Sequence, residues 1–192
     1  MIKKQFRKES DSMGQMSVPK HALYGSQTAR AVENFPISKL RFNRSFIEAL
    51  GVIKFSAAKA NLSLKLISGD VGNSIMKAAN EVISGKHDSE FVVDIFQTGS
   101  GTSSNMNANE VISTLANKFI KGKTKVHPND HVNLCQSSND VIPTAMYISV
   151  YSLILNSLVP NLKILEKELS LKARKFDKIF KIGRTHLQDA TP

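Results

Sequence analysis

The stretch from Leu158 to Phe176 most constrains what this chain can fold into. Leu158, Leu162, Leu165, Leu169 and Phe176 recur at near-heptad spacing, the signature of a helix with one apolar seam. Such a seam has to be buried against other helices. Pro160 fits the first turn of that helix, where its missing N–H costs nothing. The preceding run, Val141 to about Asn156, is a second long helical segment and the one partner left at this end of the chain. The region therefore reads as the opening of a helical bundle.

Upstream the pattern is different. Residues 1 to about 44 are irregular, punctuated by Pro19, Gly25 and Pro36 with no apolar periodicity lasting two turns. Ser45-Phe46-Ile47-Glu48 has the form of a capping box. Behind it Ile47, Leu50, Ile53 or Lys54, Ala57 and Ala58 keep helical spacing, which predicts a helix from Ser45 to about Leu66. Val71, Ile75, Ala78, Ala79 and Val82 predict a second, starting at Gly69-Asp70 and stopping near Gly85. Phe91 to Phe96 is short, β-branched and extended. A further helix is expected from about Asn105 to Lys118, closed by Gly122. The fold class is mainly α, with a mixed helical domain over 1–137 and the incomplete start of a long bundle over 138–192.

Composition narrows the function classes. The 192 residues carry a net charge of +10 with 41% apolar content, an ordinary globular balance. The single Cys135 leaves no disulfide framework and no Cys-rich zinc module, and it reads as a small buried thiol. Trp is absent and aromatics make up 7%, too few to stack on exposed bases, so no nucleic-acid partner is expected. Val141 to Leu155 is interrupted by Pro143, Thr144, Ser149 and Ser152 and falls short of the roughly 18–20 residues a bilayer requires. No membrane partner follows from it. The basic start, Met1 to Lys8, runs into Glu9 and Asp11 with no apolar core, so a secretory signal is not expected and a cytoplasmic location is.

Four polar islands break the helices: Thr98 to Asn105, His127 to Asp130, Ser137 to Asp140, and Thr185-His186. Helix N-termini expose backbone N–H groups, and Ser, Thr and Asn add neutral donors, the makings of carboxylate or phosphate sites. Gly99 to Thr102 lacks the Gly-Lys-Ser/Thr ending of a nucleotide loop, and on composition alone it is an ordinary Gly/Ser turn. His127 and His131 stand four apart, but the turn at Pro128 spoils a shared helical face, and no metal is expected. His186 is a candidate general acid or base because imidazole titrates near neutrality.

The order and wording of these islands resemble one family. Gly14 to Pro19 with Ala22 to Thr28, Gln97 to Asn107, Val126 to Asp130, Gln136 to Asp140, and Gly183 to Pro192 together resemble the fumarase/aspartase superfamily, most closely its class II fumarate hydratases. The resemblance covers nearly the whole chain and less than half of a usual member, its N-terminal part. It implies homotetramers built on a central helical bundle, with active sites drawing loops from three subunits. It implies reversible hydration of fumarate to L-malate in the tricarboxylic acid cycle, without metal or organic cofactor.

By the same resemblance, Ser100, Gly101, Thr102, Ser137, Ser138, Asn139 and Thr185 bind the substrate carboxylates. His186, with an ordered water, exchanges the proton of the hydroxyl, and His127, Pro128, Asn129 and Asp130 match a second, peripheral dicarboxylate site. His186 and Ser100 favour fumarase over aspartate ammonia-lyase wording, while His131 and Cys135 lean the other way. The family's Gly-Ser-Ser-x-Met-Pro-x-Lys-x-Asn-Pro loop, which carries the serine base, does not occur in this sequence, and Thr124 stands where many members place an Arg.

Overall fold

Helices form where apolar spacing allows one face to be buried, and three of them make the core. The computed structural model describes residues 5–121, 124–180 and 183–191; Gly122, expected to close a helix, lies outside them. Two units are present, Met1–Tyr151 and Ser152–Pro192.

The first unit begins with a hairpin where no regular structure is expected. β1 (Phe6–Asp11) pairs antiparallel with β2 (Gly14–Pro19), Phe6 opposite Pro19 and Asp11 opposite Gly14. Only Met16 and Val18 of β2 are buried apolar residues, too few to mark a strand by alternation. Arg7 supplies what the sequence pattern lacks. Its guanidinium donates to the carbonyls of Pro19, Ala22 and Tyr24 at 2.8, 2.7 and 2.8 Å. α1 (Ser26–Asn34) follows, also unexpected, because its buried residues are Ser26, Thr28, Ala29 and Ala31 rather than large apolar ones.

α2 (Arg44–Ser63) and α3 (Gly69–Ile83) sit close to their expected spans. The α2 cap differs from the expected capping box. Asn43, not Ser45, is the N-cap, its Oδ1 accepting from the Phe46 N–H at 3.1 Å and from the Ser45 hydroxyl at 2.9 Å. An Asn side chain is as good an N-cap acceptor as Ser, and the chain enters the helix one residue earlier. The α3 stripe Val71, Ile75, Ala78, Ala79 and Val82 is wholly buried. Gly51 lets α2 approach it, since a Cβ there would lie 2.9 Å from Ile83 Cγ1.

α4 (Thr102–Phe119) starts three residues before the expected Asn105. It packs Val111, Ile112 and Leu115 into the core with Leu50, Ile75 and Val82. It also buries polar residues that hold irregular backbone. Asn107 accepts from the Val92 N–H at 3.1 Å and donates to the Glu90 carbonyl at 2.9 Å. Asn117, itself exposed, likewise exchanges two hydrogen bonds with the Val126 backbone. Glu110 receives the N–H groups of Gly25, Gln27 and Thr28 at 2.9, 3.0 and 3.0 Å, so a carboxylate from α4 caps α1. Phe91 to Phe96, expected to be extended, has no regular structure, bends from Ile95 to Gln97 and joins no sheet among the described residues.

The His127-Pro128 turn is a single π-helical turn, Pro128–Val132. α5 (Ser138–Leu153), a π turn (Ile154–Leu158) and α6 (Val159–Phe176) then follow as one unbroken helix of 39 residues. Two separate segments were expected. Pro143, in the second turn of α5, forgoes the bond an N–H there would make to the Asn139 carbonyl, yet the helix runs on through it. The continuous helix is longer than Val141 to Leu155 and is long and apolar enough to cross a membrane by length and composition, a test that core helices also pass. In the second unit the seam residues Leu158, Leu162, Leu165, Leu169 and Phe176 are all exposed. β3 (Gly183–Arg184) and β4 (Asp189–Thr191) form a short antiparallel hairpin.

Glu110→Ala leaves three N–H donors without their acceptor, two of them buried with the carboxylate. Charged hydrogen bonds of this kind contribute about 1.5–3 kcal/mol each when lost one at a time. Urea denaturation is expected to show a loss of about 3 kcal/mol or more, and a loss below about 1 kcal/mol would refute the capping role.

Candidate active site

Two of the polar islands become the N-termini of α4 and α5, and the packing of the core brings them together. Gly101 is the N-cap of α4 and takes φ +68°, the left-handed region that suits glycine. A Cβ there would also meet Ile142 of α5 at 2.9 Å. The absence of a side chain at residue 101 thus lets the Gly99–Thr102 turn lie directly on α5. Asn105, in the second turn of α4, donates to the Ser138 hydroxyl at 2.9 Å. Ser100, Gly101 and Thr102 are in this way gathered with Ser137, Ser138 and Asn139.

Each loop is braced by its own contacts. Gln97 spans the base of the first: its carbonyl oxygen accepts the Ser104 N–H at 2.9 Å, and its amide donates to the Ser104 hydroxyl and the Asp94 carbonyl, both at 2.8 Å. Ser100 and Thr102 share a hydroxyl–hydroxyl hydrogen bond of 2.9 Å at the surface. In the second loop the Ser137 hydroxyl accepts the Asn139 N–H at 3.2 Å. Ser100, Thr102, Ser137 and Asn139 are exposed and Gly101 is buried. Two helix N-termini side by side, fringed with hydroxyls, present partial positive charge and N–H and O–H donors to an anion.

Beneath the second loop lies a residue that the sequence pattern left undecided between two positions. Lys54 of α2 is fully buried. Its Nζ donates to Asn133 Oδ1 and to Gln136 Oε1, each at 2.9 Å. Asn133 Oδ1 also accepts from Asn105 at 3.1 Å. Burial away from water pushes the Lys54 amine down to about 7, because a low-dielectric surround penalises the charged form. The helical period was the available signal, since Ile47, Leu50, Lys54, Ala58 and Asn61 share one buried face. Asn133 and Asn105 carried no such signal, because only the fold brings them to Lys54. Cys135, expected to be buried, is exposed and held at φ +59° by the tight turn between Asn133 and Ser137.

His127 and Asn129 line a cleft of about 460 Å³ whose other wall includes Glu9, Asp11 and Glu110. Glu9 is paired with Arg7 at 2.7 Å and Asp11 with Arg30 at 2.8 Å. The His127 imidazole sits 3.1 Å from the Asp130 carboxylate, and the His127 N–H donates to His131 Nδ1 at 2.8 Å. That bond occupies one nitrogen of His131. Thr185 and His186 belong to the second unit. The Thr185 N–H and hydroxyl donate to the Gln188 carbonyl at 2.7 and 3.1 Å, closing the β3–β4 turn, and His186 beside them is exposed.

The family model described as lyase matches residues 14–192, and the chain belongs to this lyase family. It is similar to the class II fumarate hydratase of Halobacterium salinarum, 55% identical over 190 residues, covering 97% of this chain and 40% of that protein. It is also similar to an aspartate ammonia-lyase from a Bacillus species, 50% identical over 190 residues, with 97% and 40% covered. Among solved structures, a recombinant class II fumarase from Schistosoma mansoni superposes with a TM-score of 0.89 at 43% identity, covering 97% of this chain and 40% of that one. The fold is that of the fumarase/aspartase proteins, and the chain spans about 40% of the length of these relatives.

Two outcomes follow from the site geometry. Gly101→Ala meets both the left-handed backbone cost, roughly 1–2 kcal/mol, and the Ile142 side chain. It is expected to destabilise the chain by about 2 kcal/mol or more in urea denaturation, with partial recovery when combined with Ile142→Val. For Lys54, the folded amine loses its proton near 7, whereas the unfolded one keeps it to about 10.4. The unfolded state therefore binds more protons between these values, and stability gains from rising pH across that window. The wild-type chain should gain up to about 1.4 kcal/mol per pH unit relative to Lys54→Met between pH 7 and 10. Parallel stability curves for the two chains would contradict a depressed amine.

Proposed function

We propose that this chain supplies the N-terminal part of a class II fumarate hydratase, which interconverts fumarate and L-malate. The observation that carries the reading is the juxtaposition of the Ser100–Thr102 and Ser137–Asn139 turns at two helix N-termini. Carboxylates are matched by such donors, which carry no formal charge to desolvate and are already oriented. Ser100, Thr102, Ser137, Ser138 and Asn139, with Thr185 from another copy's hairpin, hold the two ends of the four-carbon diacid. When the carbon-bound proton adjacent to one carboxylate leaves, that group gains a second negative charge. N–H and O–H donors already aimed at it stabilise the developing charge more than the ground state. His186, through a water, gives or takes the proton of the departing or entering hydroxyl.

The base that removes the carbon-bound proton belongs to a serine loop that these 192 residues do not contain. We read the division at residue 137 as the border between the lyase domain and the central bundle. The exposed Leu158 to Phe176 seam is then covered by other helices of a homotetramer. The His127–Asp130 turn forms the peripheral dicarboxylate site. The setting is the cytoplasmic tricarboxylic acid cycle.

Mixing this chain with a polypeptide carrying the remaining helices and serine loop of a class II relative is expected to restore loss of fumarate absorbance. Light scattering on the same mixture should report a tetramer-sized particle. His186→Asn in that particle is expected to slow turnover at least 100-fold, the usual range for losing a general acid or base. Ammonia release from L-aspartate, with no fumarate hydration, would identify an aspartate ammonia-lyase instead. An assembled particle inactive on both would overturn the proposal.

A further inference from the structure

We propose that Lys54 is a positioning residue for the carboxylate-binding turn, acting through Asn133, Gln136 and Asn105 to set the direction of the Ser138 hydroxyl. The inference rests on the reading of Ser137–Asn139 as a substrate-binding turn.

Protonated, lysine only donates, and as a neutral amine it still has two N–H groups to give, so it orients the two side-chain amides it touches. Its Nζ points at Asn133 Oδ1 and Gln136 Oε1. The amide nitrogens of those residues therefore face the other way. Asn133 Nδ2 donates to the Gln136 carbonyl at 3.1 Å, and Gln136 Nε2 donates to the Val132 carbonyl at 2.8 Å. These two bonds close the turn from Val132 to Ser137. With Asn133 Oδ1 fixed as an acceptor, Asn105 meets it with its amide nitrogen, and the same nitrogen reaches Ser138 Oγ. Ser138 Oγ is thus an acceptor on its inner side, and its own proton is left to donate outward. An outward O–H on α5's first residue is what a substrate carboxylate needs.

Stability alone gives no reason for an ammonium at this point. A methionine would fill the same place on α2 without desolvating a charge. Among the described residues no carboxylate lies within ion-pair distance of Lys54. Its hydrogen-bond partners are the two side-chain amides of the turn.

The test compares wild type with Lys54→Met, first in the 192-residue chain by hydrogen exchange at one fixed pH. The Asn133 and Gln136 amides, bonded to the Pro128 and Asn133 carbonyls, are expected to exchange at least tenfold faster in the variant, while the amides of α3 stay unchanged. No acceleration at these two amides, or an equal acceleration throughout, overturns the proposal. Should Lys54→Met fail to fold, Lys54→Gln, which keeps one amide donor, is expected to show the same local effect at smaller size, and its absence overturns the proposal equally. Next, in the particle assembled with the complementary polypeptide, Lys54→Met should raise the KM for fumarate about tenfold and leave kcat within about threefold. An unchanged KM overturns the link to the ligand. A wild-type particle that hydrates no fumarate overturns the proposed function, and the exchange result then judges Lys54 by itself.

Discussion

Helix α4 carries two kinds of buried surface at once, and the first unit is organised around that fact. Val111, Ile112 and Leu115 give it an apolar stripe in the core, while Ser104, Asn105, Asn107, Asn109, Glu110 and Ser113 are buried polar groups on the same helix. Buried polar groups need partners, and unpaired buried backbone is as costly. For most of these groups the chain meets both needs together, Asn105 Oδ1 and Asn109 Oδ1 being left without a partner among the described residues. Extended and looped segments that join no sheet lend their backbone groups to α4, which in turn fixes where those segments run. Val92, Glu90, Val126, Gly25, Gln27 and Thr28 are all anchored in this way. The candidate site inherits its rigidity from this arrangement, because its first loop is the N-terminus of the same helix.

Rigid placement matters because the ligand class proposed is small and doubly charged. Neutral donors bind such a diacid only when several of them converge, since each contributes little alone. The contact between Gly101 and Ile142 brings the two helix ends together, and Asn105 bridges them to Ser138. Stacked helix N-termini then add their partial charges to those of the neutral hydroxyls. The charge that does lie near is Lys54, below the turn and out of contact with solvent. The net charge of +10 is otherwise spread over the surface.

The two units differ in how well they satisfy themselves. In the first, large apolar side chains of α2, α3 and α4 find one another. In the second, a seam of leucines is left at the surface along α6, and the helix it belongs to is long and apolar enough to cross a membrane by composition. A seam of this spacing is the geometry of helix-on-helix packing, and the bundle proposed for it would cover these leucines. The same apolar excess that resembles a membrane segment in isolation is what a multi-helix core requires.

Much of this was open to reading from residues alone, and the boundary has a physical basis. Val71, Ile75, Ala78, Ala79 and Val82 identify α3 because helical period and burial coincide over about three turns. The hairpin of β1 and β2 was illegible, since it is held by Arg7 reaching carbonyls 12 to 17 residues away rather than by alternating apolar residues. α1 was missed for the same kind of reason, the acceptor for its first N–H groups being Glu110, more than 80 residues distant. The helix from Ser138 to Phe176 reads as two segments because Pro160 marks a first turn, whereas a π turn carries the chain from one segment into the other without a break. Local chemistry by itself determined the helices, the polar islands and the family resemblance, because these depend on neighbours three or four residues apart. Only the tertiary structure decided that Gly101 lies on Ile142, that Lys54 sits under Asn133 and Gln136, and that Cys135 faces outward. Those outcomes depend on which distant segments pack together, and packing is a property of the whole core.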